Sequence, residues 1–269
     1  MEFAWAFLVL GAFVGFFAGL LGVGGGGIMV PVLTSLFLLM GFADAVHLAL
    51  ATSLAAIITT SIASARSHQA HQAILWPVVW RMSPGIVAGT MISALIAARM
   101  PTLALAWFFS IFMAYVALQM LLNIKPKPGR TLPGPVGLVG TGVGIGAISA
   151  LVAIGGGALT VPFLTWCNVK VQQAIGTSAA LGLPIAVSGT LGYALSGYFG
   201  STDSSSLPTW SLGYVYLPAV VGISLVSFMT VPLGVRLAHR LPVATLKKLF
   251  AVLLISLSAK MLHSVAFSS

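Results

Sequence analysis

Acidic side chains are almost absent from this sequence: Glu2, Asp44 and Asp203 are the only three in 269 residues. Charged residues of both signs reach only 6%, against about 25% in soluble domains. A water-facing surface cannot be built from so few charges, so the solvent must be lipid. No Asp or Glu lies inside an apolar run, which excludes a proton relay on buried carboxylates and an oxygen-rich cation site. Cysteine is reduced to Cys167, so neither an intrachain disulfide nor a CxxC metal site can form. His68 and His71 stand three apart, but in a basic loop without acids or cysteine, and are not read as metal ligands. No nucleophile–base signature or Walker motif appears. Catalytic residues, cofactors and metals are therefore not expected. The net charge of +9 raises nucleic acid as a partner, but the basic residues lie at the ends of apolar runs and in short loops. They read as topology signals instead.

What is present is apolar: 59% of the chain, in long unbroken runs. Outer-membrane barrels alternate apolar and polar residues, whereas these runs are continuous, as in spanning helices. At roughly 20 residues per crossing, the chain has room for about eight to ten membrane segments. Met1 to Leu10 lacks a basic leader and a cleavage site follows nowhere near, so the first run is expected to be a retained helix. The expected segments are Phe3–Val23, Ile28–Met40, His47–Ala65, Ile74–Ala98 (bent by Pro84 and Gly85) and Thr102–Asn123. After a basic, proline-rich linker come Val136–Ile154, Ala158–Trp166, Val171–Tyr198 (interrupted by Gly182 and Pro184), Trp210–Val235 and Leu241–His263. Asp44 is expected to cap the third of these.

The two halves match in order. Gly15–Leu33 lines up with Gly144–Leu164, placing Pro31 opposite Pro162. Ala51-Thr52-Ser53 lies opposite Gly176-Thr177-Ser178, Arg99-Met100-Pro101 opposite Arg240-Leu241-Pro242, and Gln119-Met120-Leu121 opposite Lys260-Met261-Leu262. Four matches in one order mark a duplication, with residues 1–124 as one half, 125–134 as a cytoplasmic linker and 135–269 as the other. Counting positive charges favours five segments per half. The loops at Arg66–Trp76, Lys125–Arg130, Lys170 and Arg236–Arg240 then share the cytoplasmic side, with Asp44, Arg99, Asp203 and the terminal Lys260 opposite. An odd number of segments makes the repeats inverted and puts both termini outside. The expected fold is thus all-α and polytopic, with two inverted repeats and glycine-broken helices.

Inverted repeats with matched glycine breaks point to a transport site. A helix start leaves backbone N–H groups unpaired and carries about half a positive charge. Glycines let an anion reach those groups directly. The candidate substrate-binding residues are Gly24, Gly25, Gly26 and Gly27 at the first break, and Gly155, Gly156 and Gly157 at the second. Thr52, Ser53, Thr177 and Ser178 are added as hydroxyl donors that avoid burying a charge, against the alternative that they bond back to their own helices. Arg81 reads either as a topology charge or as a cytoplasmic gate that attracts anions. Gly15 and Gly19 are assigned to close helix packing.

The paired motifs GLLGVGGGGIMVP and ALVAIGGGALTVP, each followed by an A/G-T-S helix, resemble the sulfite exporter TauE/SafE family, from Phe7 to about Leu262. The resemblance implies a permease of four-plus-four or five-plus-five segments in the bacterial cytoplasmic membrane. It also implies export of sulfite or a small organosulfur anion such as sulfoacetate. The family's glycine motif falls on Gly22, Gly24, Gly25 and Gly26, and again on Gly155, Gly156 and Gly157. The second half departs at Ala153 and Ala158, so the two half-sites are expected to be unequal. Two other readings stay open at this point: an uptake carrier or channel for a related anion, and a non-transporting partner or sensor subunit. The oligomeric state, a homodimer among the options, is also open.

Overall fold

The computed structural model describes residues 4–21, 25–122, 129–200, 207–238 and 243–268. The chain is an all-α, multi-pass membrane protein. In order, the helices are α1 (Ala4–Leu21), α2 (Gly26–Leu39), α3 (Ala45–Gln69), α4 (Trp76–Ala97), α5 (Thr102–Leu121), α6 (Pro135–Val152), α7 (Gly157–Trp166), α8 (Val171–Gly200), α9 (Leu217–Ala238) and α10 (Val243–Ser268). Among the described residues, seven are long and apolar enough to cross a bilayer. At 1.5 Å per residue, α2 (14 residues) and α7 (10 residues) reach only about 21 and 15 Å, short of a ~30 Å hydrocarbon core. They are half-depth helices.

Three details depart from the sequence reading. The run expected from Trp210 is not helical at its start. Ser211–Leu212 (β1) and Val215–Tyr216 (β2) pair antiparallel, turned by Gly213 at φ +55°, and α9 begins only at Leu217. The run from Val171 is not interrupted either: α8 continues through Gly182 and Pro184. Gly182 serves close approach instead, since a Cβ there would stand 2.6 Å from Ser61 Oγ and 3.1 Å from the Gly155 carbonyl oxygen. Asp44 holds the N-cap position of α3 but makes no side-chain cap bond. Its carboxylate lies 3.8 Å from His47 Nδ1. The sequence matches at Arg240–Pro242, residues 125–128 of the linker, and Asp203 lie outside the described residues.

The helices that face lipid show it in their spacing. Trp5, Val9 and Phe13 on α1 are exposed, as are Val221, Leu225 and Met229 on α9, each set at intervals of four. On a water-soluble surface such stripes would aggregate; in a bilayer they are the lipid face. The apolar solvent gives helices little reason to associate, so close packing of small residues must supply it. Helix α1 lies on α9, and α6 lies on α4. At Gly11 and Gly19 of α1, Gly85 and Gly89 of α4, and Gly142 and Gly146 of α6, an added Cβ would stand 2.0 to 2.6 Å from a backbone oxygen of the facing helix. Gly15 meets Ser227 and Thr230 in the same way, so the packing role expected for Gly15 and Gly19 holds.

Between these outer pairs, α3 packs on α8 and α5 on α10. Most of these contacts have a counterpart: α3 packs on α9 as α8 does on α4, and α2 on α3 as α7 does on α8, whereas α2 also packs on α10 without a comparable contact of α7 with α5.

Candidate functional site

Both short helices begin at a glycine in the left-handed region, Gly25 at φ +78° and Gly156 at φ +79°. Side chains rarely adopt that conformation, and it reverses the chain sharply. The reversal is deep. A Cβ on Gly25 would meet Val14 and Ala18 of α1, and one on Gly156 would come within 3.9 Å of Ile145 of α6. Each short helix thus starts alongside the helix before it, well back from that helix's end. Ala153 ends α6 with φ +46°, a conformation costing a non-glycine residue roughly 1–2 kcal/mol; its N–H bonds to Ser149 O.

The structure brings the two breaks together. A methyl on Gly26 would stand 1.7 Å from the Ala153 carbonyl oxygen and 3.3 Å from Ile154 Cα. Gly25, Gly26 and Gly27 are all buried, and so are Gly155, Gly156 and Gly157; Gly24 lies outside the described residues. Around Gly27 stand Leu254 of α10 and Met113 of α5. Within α2 the N–H groups of Ile28 and Met29 turn back to Gly25 O, and within α7 those of Leu159 and Thr160 to Gly156 O. The N–H groups ahead of these have no acceptor within their own helix, as at any helix start.

The four hydroxyls named from the sequence divide by role. Thr52 Oγ1 accepts the backbone N–H of Tyr216, the residue preceding α9, at 3.1 Å. Thr177 Oγ1 accepts that of Leu75, the N-cap of α4, at 3.0 Å. These described bonds lead to helix starts of the opposite half and not to the breaks. Each leaves the threonine's own proton to donate. Ser178 donates to Ile175 O of its own helix at 2.8 Å. Ser53 Oγ is wholly buried with no hydrogen-bond partner among the described residues. Arg81 is exposed on the second turn of α4.

One site residue escaped the sequence reading. Thr160 of α7 is fully buried, its hydroxyl has no partner among the described residues, and its Oγ1 lies 3.4 Å from where a Cβ on Gly156 would stand. The sequence offers no signal for it, because the feature that matters is a bond not made. No group of three His, Cys, Asp or Glu residues able to hold a metal occurs among the described residues. Cys167 is buried, which pushes its thiol up, with Arg130 acting the other way. That is not the environment of a reactive thiolate.

Relatives of this chain carry the same transport theme. Residues 7–261 match the family described as sulfite exporter TauE/SafE. A probable membrane transporter protein of Haemophilus influenzae is 38% identical over 257 residues, covering 94% of this chain and 96% of that one. A second, from Methanocaldococcus jannaschii, is 24% identical and covers 87% and 86%. A third, from Bacillus subtilis, is 26% identical and covers 69% and 76%. No solved structure matches. With the family matched over nearly the whole length of a chain of ten apolar helices, this protein is a membrane transporter, not an enzyme, and belongs to the sulfite exporter TauE/SafE family.

Proposed function

We propose that the protein is a secondary carrier that exports sulfite or a small organosulfur anion across a bacterial cytoplasmic membrane. The observation that carries this reading is the meeting of two buried, glycine-started half-depth helices in a protein without intramembrane acids. Helix starts attract anions through unpaired N–H groups and the end of the helix dipole. In a bilayer those groups must find a partner in protein, water or solute. The substrate occupies the region between the breaks, contacted by backbone N–H groups and by hydroxyls of the Thr-Ser pairs.

The exchange of contacts between the halves supports a duplicated fold. Exchanging α1 with α6, α2 with α7, α3 with α8 and α4 with α9 maps α1–α9 onto α6–α4, α3–α9 onto α8–α4 and α2–α3 onto α7–α8, with α2–α10 left unmatched. Five helices per half then reverse the direction of the second half. Rocking of one half against the other around the breaks gives alternating access. Burial of all six described break glycines favours a carrier over an open channel, which would leave its path accessible.

An anion leaving a cell that is negative inside gains about 2.3 kcal/mol per charge per 100 mV. Export thus runs on voltage without a proton relay. The purified protein in liposomes should move labelled sulfite or sulfoacetate toward the positive compartment, with flux rising as the imposed potential rises. It should also show counterflow. Flux indifferent to potential removes the voltage drive, absence of counterflow removes the carrier, and absence of any anion flux removes the reading.

A further inference from the structure

The two breaks are alike in backbone and differ in the side chain four residues on from the left-handed glycine, Thr160 after Gly156 and Met29 after Gly25. At α2 the Ala153 carbonyl oxygen is seated against Gly26, so close that a methyl would stand 1.7 Å from it. The negative end of a carbonyl dipole there offsets the positive helix start and repels an anion. A Cβ on Gly25 or Gly27 would stand nearest to atoms of Val14, Ala18, Leu254 and Met113. The position in α2 corresponding to Thr160 is the fully buried Met29.

At α7 a buried hydroxyl stands in place of that methionine. Threonine and serine in membrane helices ordinarily donate to the carbonyl four residues back. Thr165, on the same helix, donates to Val161 O, Ser35 of α2 to Pro31 O, and Thr190 of α8 to Ala186 O. Thr160 does not, although it is wholly buried. Gly156 O, the acceptor it would use, already takes the N–H groups of Leu159 and Thr160. Its hydroxyl is held beside the left-handed Gly156, at the same helix start where the N–H groups of Gly157 and Ala158 lack intrahelical acceptors. Ser149, which precedes this break on α6 and whose carbonyl accepts the Ile154 N–H, also has a buried hydroxyl without a partner.

We propose that the oxyanion end of the substrate binds at the start of α7 and takes a hydrogen bond from Thr160, while the start of α2 is closed to it by the Ala153 carbonyl. The site is one-ended: α7 holds charge, and α2 presents apolar and thioether groups to the rest of the solute. This rests on the anion-carrier reading above and sharpens it.

The test measures KM for sulfite in proteoliposomes made with wild-type protein and variants of matched folded yield. Thr160→Val keeps the shape and removes the donor. Loss of a hydrogen bond to a charged group corresponds to a rise in KM of about tenfold or more. Thr160→Ser restores the donor and should stay near wild type. Thr34→Val is the control, an equally buried and unpartnered hydroxyl on α2, and should leave KM unchanged. If Thr160→Val does not fold, Thr160→Ala against Thr160→Ser makes the same comparison. An unchanged KM on removal of the Thr160 hydroxyl overturns the assignment and leaves the carrier standing, as does an equal rise in Thr34→Val. Wild-type vesicles that move no anion overturn the carrier reading, and the assignment falls with it.

Discussion

Thr52 and Thr177 occupy matching places on the two central helices, and each receives the N–H at the start of a helix from the other half: Tyr216 before α9, Leu75 before α4. Those N–H groups are among the donors that no helix satisfies internally, and lipid cannot satisfy them. The threonines therefore staple the halves together whatever else their hydroxyl protons do. Replacing Thr177 by Val leaves the N–H of the half-buried Leu75 without this partner, a cost of about 1 kcal/mol. Thermal unfolding in detergent should show a lowered midpoint for Thr177→Val and for Thr52→Val, and a near-normal one for the corresponding serine variants. Equal stability of the valine and wild-type proteins would show that the stapling bonds contribute nothing.

Among the elements, the paired helices α1–α9 and α4–α6 depend on glycine for contact and not for turns. Gly146 of α6 faces the Ile86 carbonyl, with only 2.5 Å left for a Cβ, and Gly85 of α4 faces that of Val139 with 2.0 Å. Gly140 and Gly144 of α6 have nothing within 4 Å of a Cβ and are exposed. Gly146→Leu and Gly85→Leu should sharply lower the yield of folded protein on size-exclusion chromatography. Gly140→Ala and Gly144→Ala should fold normally and gain up to about 1 kcal/mol from helix propensity. The glycine breaks at Gly25 and Gly156 were legible in the sequence because consecutive glycines make a poor helix wherever they occur. The β1–β2 hairpin was not, because two-residue strands leave no alternation to read. The continuity of α8 was hidden as well: Gly182 looks like a breaker until the Ser61 hydroxyl and Gly155 carbonyl that crowd it are seen. The partners of Thr52 and Thr177 lie 164 and 102 residues away, beyond any local pattern. Thr160 was hidden for the opposite reason, since its significance is the lack of a partner.

At the scale of the whole molecule, the arrangement of charge bears on how the halves are oriented. Asp44 and Lys170 stand immediately before the matching helices α3 and α8, one acidic and one basic, as expected if equivalent loops face opposite sides under the positive-inside bias. A parallel repeat would put both loops on one side; an inverted one must separate them. Ala43 is exposed, and Val171 at the start of α8 is 45% exposed, so each accepts a cysteine without disturbing the core. In a Cys167→Ser background, a membrane-impermeant maleimide added to intact cells should label Ala43→Cys at once. It should label Val171→Cys only after the membrane is opened. Leu212→Cys, on the hairpin, should behave like Ala43→Cys, and Ala70→Cys, in the basic loop, like Val171→Cys. Labelling of both matched positions from one side would make the repeats parallel and would remove the two-fold relation on which the proposed solute site between the helix starts depends.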